Sequence, residues 1–133
     1  MSARRENWPS LLAAFVESRR NSQFAWGIND CCIFAADAVL AMTGTDYAVA
    51  WRGKTTAMAA MRFARSMGGV GALPSAAGLE SCSVASAQRG DVVAVETEHG
   101  AALGICLGPI SAFTGAGGLV FQPTLQSVKA WRV

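Results

Sequence analysis

The sequence predicts a single α+β domain, with N-terminal helices packed on one face of an antiparallel sheet that the C-terminal half supplies. Three observations carry that expectation. Apolar residues recur at helical spacing up to residue 68 and in strand-sized runs after residue 88. One helical segment, opening at Cys31, is apolar almost all round, which assigns it to the centre of the domain. The length of 133 residues suits one such unit. The whole chain, 1–133, therefore divides into an N-terminal helix within 1–22, a helical part over 23–68 and a sheet part over 88–133.

The first helix has Asn7 as its N-cap, Pro9 in its first turn and an apolar stripe of Leu11, Leu12, Phe15 and Val16. Arg19 and Arg20 suit its C-terminal end, where the helix dipole favours cations. A loop over 21–29 holds Phe24, Trp26 and Gly27. Asp30 caps the central helix, which runs to about residue 42 and stops at Thr43-Gly44; only Asp37 breaks its apolar surface. A third helix over 56–67 carries Ala57, Met58, Met61 and Ala64 and ends at Gly68-Gly69. The Gly/Ala/Ser-rich stretch 69–86 reads as irregular. Beyond it, β-prone runs at 91–95, 102–108, 111–113, 119–121 and 128–133, separated by turn residues, predict a strand meander.

Composition removes several function classes. At 52% hydrophobic residues the chain is too apolar for disorder. A net charge of +2, with Arg4-Arg5 and Arg19-Arg20 the only local pairs, makes no basic face for nucleic acid. Residues 100–128 carry no Lys, Arg, Asp or Glu, a length that would span a bilayer. Five glycines beyond Gly100, with Pro109 and Pro123, cut the stretch into strand-sized pieces, so no membrane span is expected. The N-terminus shows no apolar signal-peptide core, which implies synthesis in the cytoplasm and cysteines held as thiols. A surface this poor in charge predicts that partner subunits bury part of it.

The sharpest local feature is Trp26-Gly27-Ile28-Asn29-Asp30-Cys31-Cys32. A cysteine in the first turn of a helix meets backbone N–H groups and a dipole that favour the thiolate, the nucleophile of cysteine hydrolases. The competing reading is a buried small hydrophobe, the role expected of Cys32. Trp26, Trp51 and Trp131 would line a glycan or peptide groove, or anchor loops to the core. Trp51-Arg52-Gly53-Lys54, between the second and third helices, is either an interface rim or an inward tryptophan with solvated charges. Asp30 belongs to the same candidate binding set. The spacing of the cysteines and His99 fits no zinc site, and neither a metal nor a cofactor is expected.

The Asp30-Cys31 step opening a buried helix, followed by Arg89-Gly90-Asp91-Val92-Val93 and Leu103-Gly104-Ile105-Cys106-Leu107-Gly108, resembles the NlpC-type papain-like cysteine peptidases, which are cell-wall hydrolases. Trp26-Gly27, Asp30-Cys31, Thr43-Gly44-Thr45-Asp46, Arg52-Gly53 and the terminal Ala130-Trp131-Arg132-Val133 are similar to a family of small proteins of unassigned function encoded among phage and prophage tail genes. The resemblance implies an NlpC/papain-like fold over 26–133, with Cys31 at the nucleophile position. The family's general-base histidine falls at Ala102, and its orienting position falls within 111–114, where no His, Asn or Gln occurs. The one histidine, His99, lies three residues before Ala102, so strand alternation turns it to the opposite face unless a bulge or tight turn returns it. Glu96 and Glu98 would orient it in that case.

Three functions follow from these residues. The leading expectation is a phage or prophage tail-tip structural or assembly protein, made in the host cytoplasm and carried in the virion. Its peptidase fold has lost its catalytic set, and its partners are other tail proteins. The alternatives are a cysteine hydrolase that cleaves peptidoglycan amides during DNA entry, with Cys31 as nucleophile and His99 as base, and a non-catalytic module binding host peptidoglycan.

Overall fold

A computed structural model describes residues 3–133; Met1 and Ser2, within the expected 1–22 piece, lie outside the described residues. Four α-helices precede the sheet: α1 (Trp8–Arg19), α2 (Cys31–Thr43), α3 (Ala57–Ser66) and the single turn α4 (Leu73–Ala76). The strands are β1 (Glu80–Cys82), β2 (Val92–Thr97), β3 (Gly100–Cys106), β4 (Ile110–Phe113), β5 (Val120–Pro123) and β6 (Lys129–Arg132). They form one sheet in the order β1-β6-β2-β3-β4-β5, antiparallel throughout. The α+β class is as the sequence predicts.

Two expectations are corrected. The sheet is not a plain meander. Only β2 to β5 follow one another, and β6 returns to pair with β2, with Val92 opposite Trp131. Nor is 69–86 irregular: it holds a 3-10 turn at Val70–Ala72, α4, β1 and the start of the chain that crosses the second sheet face. Glu80-Ser81-Cys82 carries no alternating apolar signal. Its strand exists because β6 offers a ladder, with Ser81 opposite Trp131.

α2 sits at the centre because its surface is apolar all round. Phe34, Ala38 and Met42 pack with Leu12 of α1 and with Leu103, Ile105, Ala112 and Trp131 of the sheet. Gly104 lets the strands close here: a Cβ on it would stand 2.4 Å from the Ala112 carbonyl oxygen and 2.5 Å from the Phe113 ring. The other face of the sheet, with Val93, Val95, Cys106 and Phe113, is covered by Cys82, Val84 and Ala87. The uncharged 100–128 stretch is therefore β3, β4 and β5, and no helix of the described residues is long and apolar enough to cross a membrane.

Polar residues staple the layers. Asp37, the one break in α2, receives Arg19 Nη2 at 2.6 Å and Arg52 Nη2 at 2.5 Å. Arg52 also grips Asp46, with Nε at 3.1 Å from Oδ2. That bond holds the Asp46 carboxyl below the usual aspartate range. At the termini, Arg4 donates to Asp91 Oδ1 (2.9 Å), to the Val133 carbonyl (2.9 Å) and to the Arg89 carbonyl (2.9 Å). The buried Asp91 carboxylate also accepts the Val133 and Gln88 N–H groups. Asn7 does occupy the N-cap of α1, but its side chain makes no capping bond. The entry to α1 is instead fixed by backbone bonds, Arg5 N–H to Met42 O at 2.7 Å and Trp8 N–H to Arg5 O at 3.0 Å.

Candidate functional site

The Trp26–Asp30 loop is built to present Cys31. Gly27 has φ of 71°, and a Cβ there would lie 2.6 Å from the Lys54 backbone, so only glycine lets the two loops touch. The Gly27 N–H donates to Asp30 Oδ2 at 2.9 Å, and the Ile33 N–H donates to Asp30 Oδ1 at 2.9 Å. Asp30 thus caps α2 and closes the loop in one residue. The buried Asn29 beside it accepts from Arg19 (3.1 Å) and donates to the Gln23 carbonyl (2.9 Å). Asp30, expected in the binding set, lines the groove and is also scaffold for the cysteine that follows.

Cys31 opens onto a groove of about 840 Å³, within the usual range of ligand pockets. Its sulfur lies 3.9 Å from that of Cys32. The Cys32 thiol, and after it the Leu103 N–H, hold the Cys31 thiol below its ordinary value although burial works the other way. Cys32 moves oppositely, pushed far up by its bond to Cys31 and by burial. Of the two thiols, Cys31 is the one whose ionisation its surroundings favour. The position preceding Leu103, Ala102, borders the groove, but its methyl group packs on the other face of the sheet with Val93, Val95 and Phe113.

His99 lies at the tip of the β2–β3 hairpin, 88% exposed, with Nε2 3.7 Å from Glu98 Oε1. It borders the groove at its rim; the groups bonded to the Cys31 sulfur come from Cys32 and Leu103. The hairpin turns sharply between Thr97 and Gly100, which are paired opposite each other. About three residues of strand separate His99 from Ala102, close to 10 Å along the chain.

The other expected binding residues divide. Trp26 lines the groove and meets Phe24 edge-on, ring centroids 4.8 Å apart. Trp51 does both things weighed for it, lining the groove and packing on Ile33, Ala36 and Ala48. Arg52 is not at the groove: its guanidinium is held by Asp37 and Asp46, so its role is to fix the loop that carries Trp51 and Lys54. Lys54, from the Trp51–Lys54 rim, also lines the groove, and two further groove residues, Arg65 and Lys129, are not picked out by the sequence. These two come from α3 and β6, and no local pattern links them.

Chemically, the site provides a thiol at a helix N-terminus, held below its ordinary value, with an apolar channel and cationic margins. His99 and Glu96 border the same groove, and the thiol that meets the Cys31 sulfur is that of Cys32. No curated protein sequence matches the chain. Residues 3–133 match the family profile described as "Domain of unknown function (DUF6950)", and the chain belongs to that family.

Proposed function

We propose that this chain is a structural or assembly component of a phage or prophage tail tip, built on an NlpC-type papain-like fold whose catalytic set has eroded. One observation carries the non-hydrolytic reading: the surroundings of Cys31. Its sulfur is met by Cys32 and the Leu103 N–H, position 102 is alanine, and the single histidine stands in solvent. Amide cleavage by a thiol needs a group that accepts its proton and returns it to the leaving nitrogen. Loss of that group from comparable triads lowers turnover by about 10⁴–10⁶-fold. A groove without a base holds a ligand and releases it intact.

The tail assignment rests on the resemblance carried by Trp26-Gly27, Asp30-Cys31 and Ala130-Trp131-Arg132-Val133. It is supported by large apolar side chains left in solvent: Leu125 is 79% exposed, Val49 73% and Met58 72%. Partner subunits of an assembly would cover them. In this reading the chain is made in the host cytoplasm, joins other tail proteins and meets host peptidoglycan as part of the particle. Mass spectrometry of purified tails and tail-assembly intermediates tests it. The chain is expected in both, and its absence from both overturns the assignment.

A second reading, a cysteine hydrolase cutting peptidoglycan amides during DNA entry, is favoured by the lowered Cys31 thiol and by His99 on the same groove. Cys31 would attack the carbonyl, His99 would serve as base once the hairpin tip folded inward, and N–H groups at the start of α2 would bind the oxyanion. Particles carrying Cys31→Ala that deliver DNA normally would eliminate it.

A further inference from the structure

We propose that Cys31 and Cys32 form a two-sulfur clamp for a monosubstituted arsenic(III) compound, whose organic substituent lies in the apolar groove. The clamp needs neither a general base nor a tail partner, and so goes beyond the reading above. Both thiols are half-buried and both line the groove. Their sulfurs stand 3.9 Å apart. Two sulfurs bonded at about 2.3 Å to one centre lie about 3.3–3.8 Å apart for bond angles of about 90–110°. Side-chain rotation that moves the sulfurs by a few tenths of an ångström therefore closes the clamp. A bond between the two sulfurs would need about 2.05 Å, and drawing adjacent side chains that close would distort the first turn of α2. The geometry favours chelation over oxidation.

Coordination number selects the centre. Zinc asks for four ligands, and no cluster of three or more His, Cys, Asp or Glu able to hold a metal ion occurs among the described residues. The adjacent carboxylate, Asp30, is already bonded to the Gly27 and Ile33 N–H groups. A trivalent arsenic that carries one carbon substituent needs only two sulfurs, and soft sulfur ligands favour soft centres of this kind. Phe24, Trp26, Trp51, Met61 and Phe63 line the same groove and give an aromatic substituent an apolar bed. The step needs no oxidant or reductant. An arsine oxide, R–As=O, exchanges its bonds to oxygen for two As–S bonds; the oxygen leaves as water with both thiol protons, and arsenic stays trivalent. The Cys31 thiol, held below its ordinary value, makes the first bond. Cys82 and Cys106 pack on the other face of the sheet, and the Cys106 sulfur is engaged by Gly108 and Thr124.

The test titrates the full chain with phenylarsine oxide in competition with dithiothreitol and reads bound arsenic by mass spectrometry of the intact protein. One equivalent is expected to bind and to protect both Cys31 and Cys32 from iodoacetamide. Cys31→Ser and Cys32→Ser, each checked for cooperative thermal unfolding, are expected to weaken binding at least about a hundredfold, because the second As–S bond forms within one complex. Cys82→Ala is expected to leave binding unchanged. Relative to dithiothreitol, the phenyl compound is expected to bind about tenfold tighter than methylarsine oxide, since its ring leaves water for the groove. In the wild-type protein, protection of only one of the two cysteines would overturn the proposal whatever the variants do. So would release by 2-mercaptoethanol as readily as by dithiothreitol, binding that survives loss of either cysteine, or equal binding of the phenyl and methyl compounds.

Discussion

Replacing Asp30 by alanine should cost more than any ordinary helix cap. The carboxylate is buried and accepts two backbone N–H groups, Ile33 at 2.9 Å and Gly27 at 2.9 Å. Loss of an N-cap side chain costs about 1 kcal/mol. The Gly27 N–H is then left buried and unpaired, which adds about 1–3 kcal/mol. The sum is about 2–4 kcal/mol. With an unfolding entropy of about 2.1 cal/mol/K per residue, a chain of 133 residues should lose about 7–14 °C in Tm. Asp30→Ser restores the cap to Ile33 but does not reach Gly27, so it should recover about 1 kcal/mol of the loss. Calorimetric and urea unfolding of the three proteins measure this. A loss below about 1 kcal/mol for Asp30→Ala would refute the double-acceptor role.

Three further outcomes are expected. Cys32→Ala removes the thiol that favours the Cys31 thiolate, so the midpoint of Cys31 alkylation by iodoacetamide should rise, while Cys32→Ser should preserve it; peptide mapping against pH decides. Asp37→Ala leaves Arg19 and Arg52 without their shared carboxylate and should cost about 2–3 kcal/mol in urea unfolding, less than a fully buried pair because both guanidinium groups keep water contact. The Asp46 carboxyl is held below its ordinary value by Arg52, so its contribution is complete above about pH 4 and is lost as pH falls through the lower folded-state value. Asp46→Asn should therefore flatten that acid-side decline in Tm.

Helices α1 to α3 were legible because their signals are local, whereas the single turn α4 was not. Asp30 and Thr56 cap as their types suggest, each accepting the N–H three residues on, and Gly44 ends α2 with φ of 81°. β2 to β5 were legible from apolar runs and glycine turns. The β6 return and β1 were not, because pairing between Ser81 and Trp131 is a tertiary event with no imprint on either segment alone. The cysteine site was legible in part. Cys31 at a helix start is a sequence feature, whereas the Leu103 N–H on its sulfur depends on β4 ending one strand away. Asp37 and Asp91 looked like an interruption and a turn residue. Their arginine partners lie 15, 18 and 87 residues distant, beyond any local pattern.

The central claim, a groove that holds its ligand without cutting it, is tested most directly by incubating peptidoglycan sacculi with the purified protein and measuring newly exposed amino groups. Wild type and Cys31→Ala are expected to release the same background amount. Release above background that Cys31→Ala abolishes would contradict the claim and establish Cys31 as a working nucleophile.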